Sequence, residues 1–167
     1  ETGGVKTKRM KNTDCSSGGN MKLQVSTGRT LSNRAGATGV PFPTRPFLVL
    51  TNSSTTATNW AVLQNSSITR ADIVAGKTYT ISYYVRKVGN YNGSTTLPGV
   101  MDGGTANKAI NTGAATAVST SWQRVQGNSA GIAAAISSNQ LYMPLSNAAF
   151  TTSGWSLEFQ GFELREQ

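Results

Sequence analysis

The sequence predicts an all-β fold, a sandwich or barrel of antiparallel strands, and three observations support this prediction. Apolar side chains recur at every second position, which is the period of a strand with one buried face. Segments rich in Gly, Asn, Ser and Thr separate six or seven short runs of this kind. No run shows helical spacing, and none reaches the roughly eighteen consecutive apolar residues of a membrane span. The chain of 167 residues is long enough for one domain with its own core.

The first part of the chain is predicted to be a basic arm or linker, residues 1–19, followed by the sandwich domain, residues 20–167. The arm ends in SSGG, and its basic residues are Lys6, Lys8, Arg9 and Lys11. Such an arm binds phosphate non-specifically, reaches a neighbouring subunit or is a solvated leader. Because no aromatic residue lies between these cations, binding of nucleic acid is not expected.

The strands are predicted in chain order from their alternation. NMKLQVS at 20–26 begins the folded part, and the proline-rich loop Gly36–Pro46 is expected to be extended and ordered. Further strands are predicted at Phe47–Thr51, Trp60–Gln64, Lys77–Val88, Ser121–Gly127, Gln140–Leu145 and Ser156–Leu164. Residues 89–120 carry the weakest pattern, and GIAAAIS at 131–137 fits either a strand or a helix.

The longest predicted strand, within Gly76–Val88, has two different faces. One face carries Tyr79, Ile81, Tyr83 and Val85, and the other carries Thr80, Ser82, Tyr84 and Arg86. The first face is predicted to lie on the core, with Tyr79 and Tyr83 as core aromatic residues. A tyrosine beside an arginine on the second face indicates a surface for a ligand, and cross-strand packing is the alternative.

The residue types argue against catalysis. The chain has no histidine and one cysteine, Cys15, which excludes Ser-His-Asp and Cys-His nucleophiles and His-based metal sites. Among the seven acidic residues, Asp102 and Glu158 are the one pair considered for a glycosidase, and Asp102 also fits the start of a DGG turn. We therefore expect no enzyme, no cofactor and no catalytic metal. A structural calcium ion, held by Asp or backbone carbonyl groups, stays an alternative without a supporting motif.

Three segments together resemble a known superfamily: GKTYTISYYVRK at 76–87, STSWQRV at Ser119–Val125 and WSLEFQGFELRE at Trp155–Glu166. They are similar to jelly-roll carbohydrate-binding modules with galactose-binding-like architecture, especially those of bacteriophage tail, fibre and virion proteins. The resemblance covers Phe47–Glu166 and implies an antiparallel jelly-roll β-sandwich. The superfamily's usual first strand, similar to NPSFE and followed by a loop Trp, has no counterpart in residues 1–46, so the calcium site of many relatives is not carried over.

Within this fold we assign a core and a candidate glycan site. Trp122 begins a predicted strand, where its large ring is expected to fill the space between two sheets. Sugar binding needs exposed rings beside hydrogen-bonding side chains. The candidate ligand-binding residues are Ser82, Tyr84 and Arg86 of the long strand, Glu158 and Gln160 of the closing strand, Gln64, and the loop residue Tyr91.

The function predicted is that of a non-catalytic, phage-like virion protein that attaches to surface glycans. Only 13% of the residues are charged, and Ser, Thr, Asn and Gly are abundant, which is typical of virion and extracellular β-proteins. The expected partners are other virion subunits or a surface polysaccharide, with a homo-oligomer expected because sheet edges must be covered. Two alternatives stay open: a purely structural decoration or subunit-bridging protein, and an accessory carbohydrate-binding module of a secreted bacterial enzyme.

Overall fold

The computed structural model describes residues 7–9, 21–23, 28–53, 55, 61–65, 79–91, 95–96, 99–102, 109–112, 116–128, 141–146 and 153–166. Within these ranges the regular elements are all strands: β1 Thr7–Arg9, β2 Met21–Leu23, β3 Arg29–Arg34, β4 Phe47–Asn52, β5 Ala61–Asn65, β6 Tyr79–Val88, β7 Thr95–Thr96, β8 Gly99–Asp102, β9 Ala109–Thr112, β10 Thr116–Ala117, β11 Gln123–Asn128, β12 Leu141–Ser146 and β13 Trp155–Glu166. A helix of the length and apolarity needed to cross a membrane does not occur among the described residues.

The strands form two main antiparallel sheets. The six-stranded sheet has the order β11-β6-β13-β4-β3, with β1 also paired to β13. The five-stranded sheet has the order β2-β5-β12-β8-β9, and β10 and β7 form a separate pair. The fold is an antiparallel jelly-roll β-sandwich, and the predicted fold class is confirmed.

The closing strand β13 lies at the centre of the six-stranded sheet. It pairs with β6 along almost its whole length, with Glu158 opposite Arg86 and Gln160 opposite Tyr84. On its other side it pairs first with β4 and then with β1. The last strand of the described chain therefore joins strands that come from the beginning and the middle of the sequence.

One face of this sheet, called the inner face below, carries the core between the two layers. On β6 the alternation places Tyr83 and Val85 on it, as the sequence pattern predicts, and both side chains are buried. The other buried apolar side chains of this face are Leu48, Leu50, Val125, Trp155, Leu157, Phe159, Phe162 and Leu164. The Tyr83 ring contacts Phe159 edge to face, with centroids 5.8 Å apart, and such burial of large rings is the main stabilising term of a sandwich core.

A bulge at Gly161 keeps β13 in phase with β6. The register shifts between Gln160 and Glu163, and Gly161 has a φ of 67°. A glycine in this left-handed conformation is the usual first residue of a bulge with one extra residue. A Cβ here would lie 2.5 Å from Cε2 of Phe42, so the absent side chain also makes room for the ring of Phe42.

The six strands predicted from Phe47 onward are confirmed, and the other strands of the fold are those that the sequence pattern does not predict or predicts only in part. Strands β4, β5, β6, β11, β12 and β13 match the predicted ones within two residues. Strand β3 was not predicted, and β8 and β9 lie in the weakly patterned segment. Part of the predicted arm is strand β1, and the GIAAAIS segment lies outside the described residues.

Candidate functional site

The candidate site lies on the opposite face of the six-stranded sheet, called the outer face. It carries Ser82, Tyr84 and Arg86 of β6, Glu158 and Gln160 of β13, and Trp122 and Arg124 of the β11 segment. Strands β6 and β13 lie side by side in this sheet. Their outward polar residues therefore share one face, as the sequence predicts for two strands of the same sheet. The connection between β3 and β4, residues 35–46, folds back over this face.

The side chain of Gln160 holds this connection against the sheet. Its Oε1 accepts a hydrogen bond from the backbone N–H of Phe42 at 2.9 Å. Its Nε2 donates to the carbonyl oxygens of Phe42 and Arg45, both at 2.9 Å, and more weakly to that of Pro46 at 3.4 Å. Gln160 is buried, so each of these bonds satisfies a group that water does not reach. Gln160 therefore positions the loop, and its amide is already engaged.

Glu158 is the buried carboxylate of the outer face. Its Oε2 accepts a hydrogen bond from Nε of Arg86 at 2.6 Å, and its Oε1 lies 3.8 Å from Nη1 of Arg34. The exposed fractions of the three side chains are 4% for Glu158, 31% for Arg86 and 63% for Arg34. A ligand approaching this face meets the two guanidinium groups before the carboxylate. The pairing and burial also leave Glu158 poorly placed to protonate a sugar, and Asp102 lies on β8 of the other sheet.

Aromatic rings and guanidinium groups alternate across the outer face. Phe42 contacts Tyr84 edge to face, with centroids 5.7 Å apart. The guanidinium carbon of Arg45 lies 5.1 Å from the centroid of Phe42, and that of Arg124 lies 5.8 Å from the centroid of Tyr84. Both rings are half-buried, and both arginines are exposed. We call these four residues, Arg45, Phe42, Tyr84 and Arg124, the arginine–aromatic row.

Trp122 lies on this outer face, which corrects its predicted place between the sheets. The guanidinium carbon of Arg86 is 5.0 Å from the Trp122 ring, and Phe47 contacts the ring edge to face at 6.1 Å. The ring is half-buried against a small apolar cluster of Val40, Phe47 and Val49. The reason is register: Gln123 pairs with Val85, so the residue before it continues the row of Arg86. Its Nε1 is buried and has no hydrogen-bond partner among the described residues.

Of the three other residues predicted to bind a ligand, Ser82 lies on the outer face but is not open to solvent, and Tyr91 and Gln64 lie elsewhere. Ser82 is buried, and its Oγ accepts a hydrogen bond from Arg124 at 2.9 Å. Tyr91 is also buried, because its ring packs on Trp155 with centroids 4.8 Å apart. Gln64 belongs to β5 of the five-stranded sheet and does not share the face of Tyr84. Of the seven predicted residues, Tyr84 and Arg86 are the two whose side chains are described as partly open to solvent on this face.

Sequence reasoning missed four residues of the site: Phe42, Arg45, Arg124 and Arg34. The first two lie in the proline-rich loop, which was predicted to be ordered but not placed on the sheet. Arg124 is within the STSWQRV segment, whose alternation with Val125 already indicated that it faces away from the core. Arg34 lies at the end of a strand that the sequence pattern did not reveal.

The electrostatics of the described residues are dominated by arginine. Burial lowers the pKa of the Arg29 guanidinium at the start of β3 below its ordinary value. Among the described residues, no group of three Asp, Glu, His or Cys side chains is arranged to bind a metal ion. The outer face thus offers hydrogen-bond donors and ring surfaces to a ligand.

Several solved structures are similar to this chain in fold. The CBM22-1 xylan-binding domain of Xyn10C from Paenibacillus barcinonensis is 17% identical with a TM-score of 0.63, over 98% of this chain and 95% of that chain. A CBM4 structure is 15% identical with a TM-score of 0.57, over 84% of this chain and 96% of that chain. No protein-family model matches the chain, and no curated protein sequence matches it.

A third similar structure contains a catalytic module as well. It holds the CBM22-1 and GH10 modules of Xyn10B from Clostridium thermocellum, complexed with xylohexaose, and is 12% identical with a TM-score of 0.59. The match covers 89% of this chain but 26% of that chain. At such identities these comparisons establish the fold, which is that of carbohydrate-binding modules. The resemblance inferred from the three sequence segments is confirmed to this extent, and its phage context stays a prediction.

Proposed function

We propose that this chain is a non-catalytic carbohydrate-binding module that binds a polysaccharide on the outer face of its six-stranded sheet. The observation that carries the proposal is the arginine–aromatic row, in which half-buried rings lie outside the core beside exposed guanidinium groups. Rings pack against the C–H faces of sugars, and guanidinium groups donate hydrogen bonds to sugar hydroxyl oxygens. The fold shared with xylan-binding modules supports the same function.

The contacts give each residue a separate role in this proposal. Tyr84 supplies the central ring, Arg124 supplies donors over that ring, and Arg86 supplies donors over the neighbouring ring of Trp122. Gln160 and Gly161 act indirectly, because they hold Phe42 at the position where it supports Tyr84. The buried Glu158 orients Arg86 through the 2.6 Å hydrogen bond. Binding then requires no cofactor.

The setting that we propose first is an accessory module of a secreted bacterial enzyme. The similarity to a module that is followed by a GH10 module in another protein supports it. The adhesion protein of a phage-like virion, predicted from the sequence segments, is the second candidate, and in it the same face would attach to surface glycans. In both settings the protein is extracellular. The homo-oligomer expected from the sequence is a separate prediction, which light scattering after gel filtration checks.

The test measures polysaccharide binding by the full chain and by two variants. Tyr84→Ala is expected to weaken the tightest-binding polysaccharide of a glycan array by tenfold or more, or about 1.4 kcal/mol, because the ring loses its contact with the sugar. Val88→Ala is the matched control, since Val88 is 44% exposed at the far end of the same strand and face. Isothermal titration calorimetry gives the affinities, and thermal unfolding checks that both variants stay folded.

Two outcomes would contradict the proposal. The unmodified chain could bind no polysaccharide on the array, or Tyr84→Ala could bind as tightly as the unmodified chain. A change of oligomeric state in Tyr84→Ala, with no glycan bound by either protein, would favour the purely structural alternative instead.

A further inference from the structure

The outer face presents a strongly positive charge to solvent, although its ion pairs contain two glutamates for three arginines. Glu158 is 4% exposed, whereas its partners Arg86 and Arg34 are 31% and 63% exposed. In the second ion pair Arg124 is 47% exposed and Glu163 31% exposed, with Nη2 and Oε2 3.1 Å apart. The carboxylates are thus less exposed to solvent than the guanidinium groups that neutralise them.

Arg45 adds a cation that no carboxylate compensates within the described part of the chain. The guanidinium group of Arg45 instead lies over the ring of Phe42, with its carbon 5.1 Å from the ring centroid. At the other end of the row Arg124 lies over Tyr84. The two rings are therefore flanked by a guanidinium group on each side. A neutral sugar would use the rings and a few donors, and it would leave the charge of Arg45 without a counter-ion.

This arrangement fits a polymer of anionic sugars. The planar guanidinium group binds a carboxylate or sulfate group through two parallel hydrogen bonds, and such charge-assisted bonds are stronger than those to a hydroxyl group. Because Arg45 and Arg124 are separated by two rings, a chain whose sugar faces pack on Phe42 and Tyr84 would bring its acidic substituents to both arginines. The formal net charge of +8 favours the approach of such a polymer.

We propose that the outer face selects an anionic polysaccharide, whose sugars carry carboxylate or sulfate groups, over a neutral one. This inference rests on the proposed function and names its ligand class. The arginine–aromatic row provides the selectivity, and Arg45 contributes most to it per residue, because its charge is not already used by a carboxylate among the described residues.

The experiment measures binding of the full chain to matched pairs of polymers at 0.15 M salt. Polygalacturonate is compared with its methyl ester, and dextran sulfate with dextran, so that each pair differs in charge and shares its backbone. We expect at least one anionic polymer to bind tenfold or more tightly than its neutral partner. The pair that shows the difference distinguishes a carboxylate from a sulfate ligand.

Variants separate a built site from general attraction to a basic protein. Arg45→Gln and Arg124→Gln are each expected to weaken binding of the anionic polymer threefold or more and to weaken binding of a neutral polymer by a clearly smaller factor, because a neutral sugar loses one hydrogen-bond donor and no charge pairing. Lys22→Gln removes the same charge from β2 of the other sheet and is expected to change neither affinity. Poly-L-glutamate, an anionic polymer without sugar rings, is expected to bind more weakly than the preferred polysaccharide.

The outcomes keep the two proposals apart. If neutral polymers bind as tightly as their charged partners and Tyr84→Ala abolishes that binding, the anionic selectivity is wrong and the proposed function stands. If Lys22→Gln weakens binding as much as Arg45→Gln, or poly-L-glutamate binds equally well, attraction to the net charge explains the result and the inference is overturned. If no polysaccharide binds at all, both proposals fail.

Discussion

The two faces of the six-stranded sheet are stabilised by different kinds of contact. The inner face consists of apolar side chains such as Leu48, Val85 and Phe159, whose contacts depend on volume and shape. The outer face is stabilised by directional contacts: the four hydrogen bonds of Gln160 to the loop and the ion pairs of Glu158. The comparison teaches that substitutions which remove side-chain volume should destabilise the inner face most. Substitutions which remove a hydrogen-bond donor or acceptor should destabilise the outer face most.

The largest effect is expected from Phe159→Ala on the inner face. Removing a fully buried ring in contact with Tyr83 and Phe162 leaves a cavity and should lower the free energy of unfolding by about 3–5 kcal/mol. Phe42→Ala on the outer face is the matched control and should cost about half as much or less, since its ring is half-buried. Urea unfolding measures both values. Equal costs would show that the two faces do not differ in this way.

The ion pair of Glu158 should respond asymmetrically to mutation. Arg86→Met leaves a buried carboxylate whose remaining partner, Arg34, is 3.8 Å away, and it should cost about 3 kcal/mol. Glu158→Gln leaves two arginines that water can reach, and it should cost about 1–2 kcal/mol. Arg34→Met, at an exposed site, should cost less than about 1 kcal/mol. Denaturant unfolding of the three variants gives the order, and a larger loss for Arg34→Met than for Arg86→Met would contradict it.

A smaller and more local effect is expected from Gln160→Met. The variant keeps most of the side-chain volume but leaves the Phe42 amide and the Arg45 carbonyl without their partner, at a cost of about 2 kcal/mol. Hydrogen exchange of the Phe42 amide should accelerate, while amides of β4 and β6 stay protected. Gln126→Met on the exposed part of β11 is the control and should change neither quantity. Uniform acceleration throughout the sheet would mean that Gln160 supports the whole core instead of the loop.

The sequence pattern was sufficient to predict burial where the alternation within a single strand determines which side chains face the core. The alternation within β6 predicts that Tyr83 and Val85 are buried and that Tyr84 and Arg86 face away from the core. Period-two patterning is a local property, so no partner strand has to be known. The fold class followed from the number of such strands and from three segments that resemble carbohydrate-binding modules.

The pattern failed where contacts join distant parts of the chain. Gln160 is buried because the loop at 35–46 folds over it, and Tyr91 is buried because Trp155 lies against it. Neither contact leaves a local signal in the sequence. Trp122 is a different kind of miss: its alternation with Val125 already places it on the outer face beside Arg86, and the size of its ring alone suggested the core. Most of the candidate site is built from such contacts, so the strand pattern predicts Tyr84 and Arg86 but not Phe42 and Arg45, which reach the face from the loop.

The position of β13 has a consequence for how the protein is made. A nascent chain leaving the ribosome exposes β3, β4 and β6 long before residues 155–166 emerge to lie between the latter two. Because these pairings span much of the sequence, the loop-closure entropy is compensated only after β13 has been synthesised, and slow folding is expected. Until then the facing edges of β4 and β6 are open to wrong pairing, so a chaperone or an export route that keeps the chain unfolded would protect it.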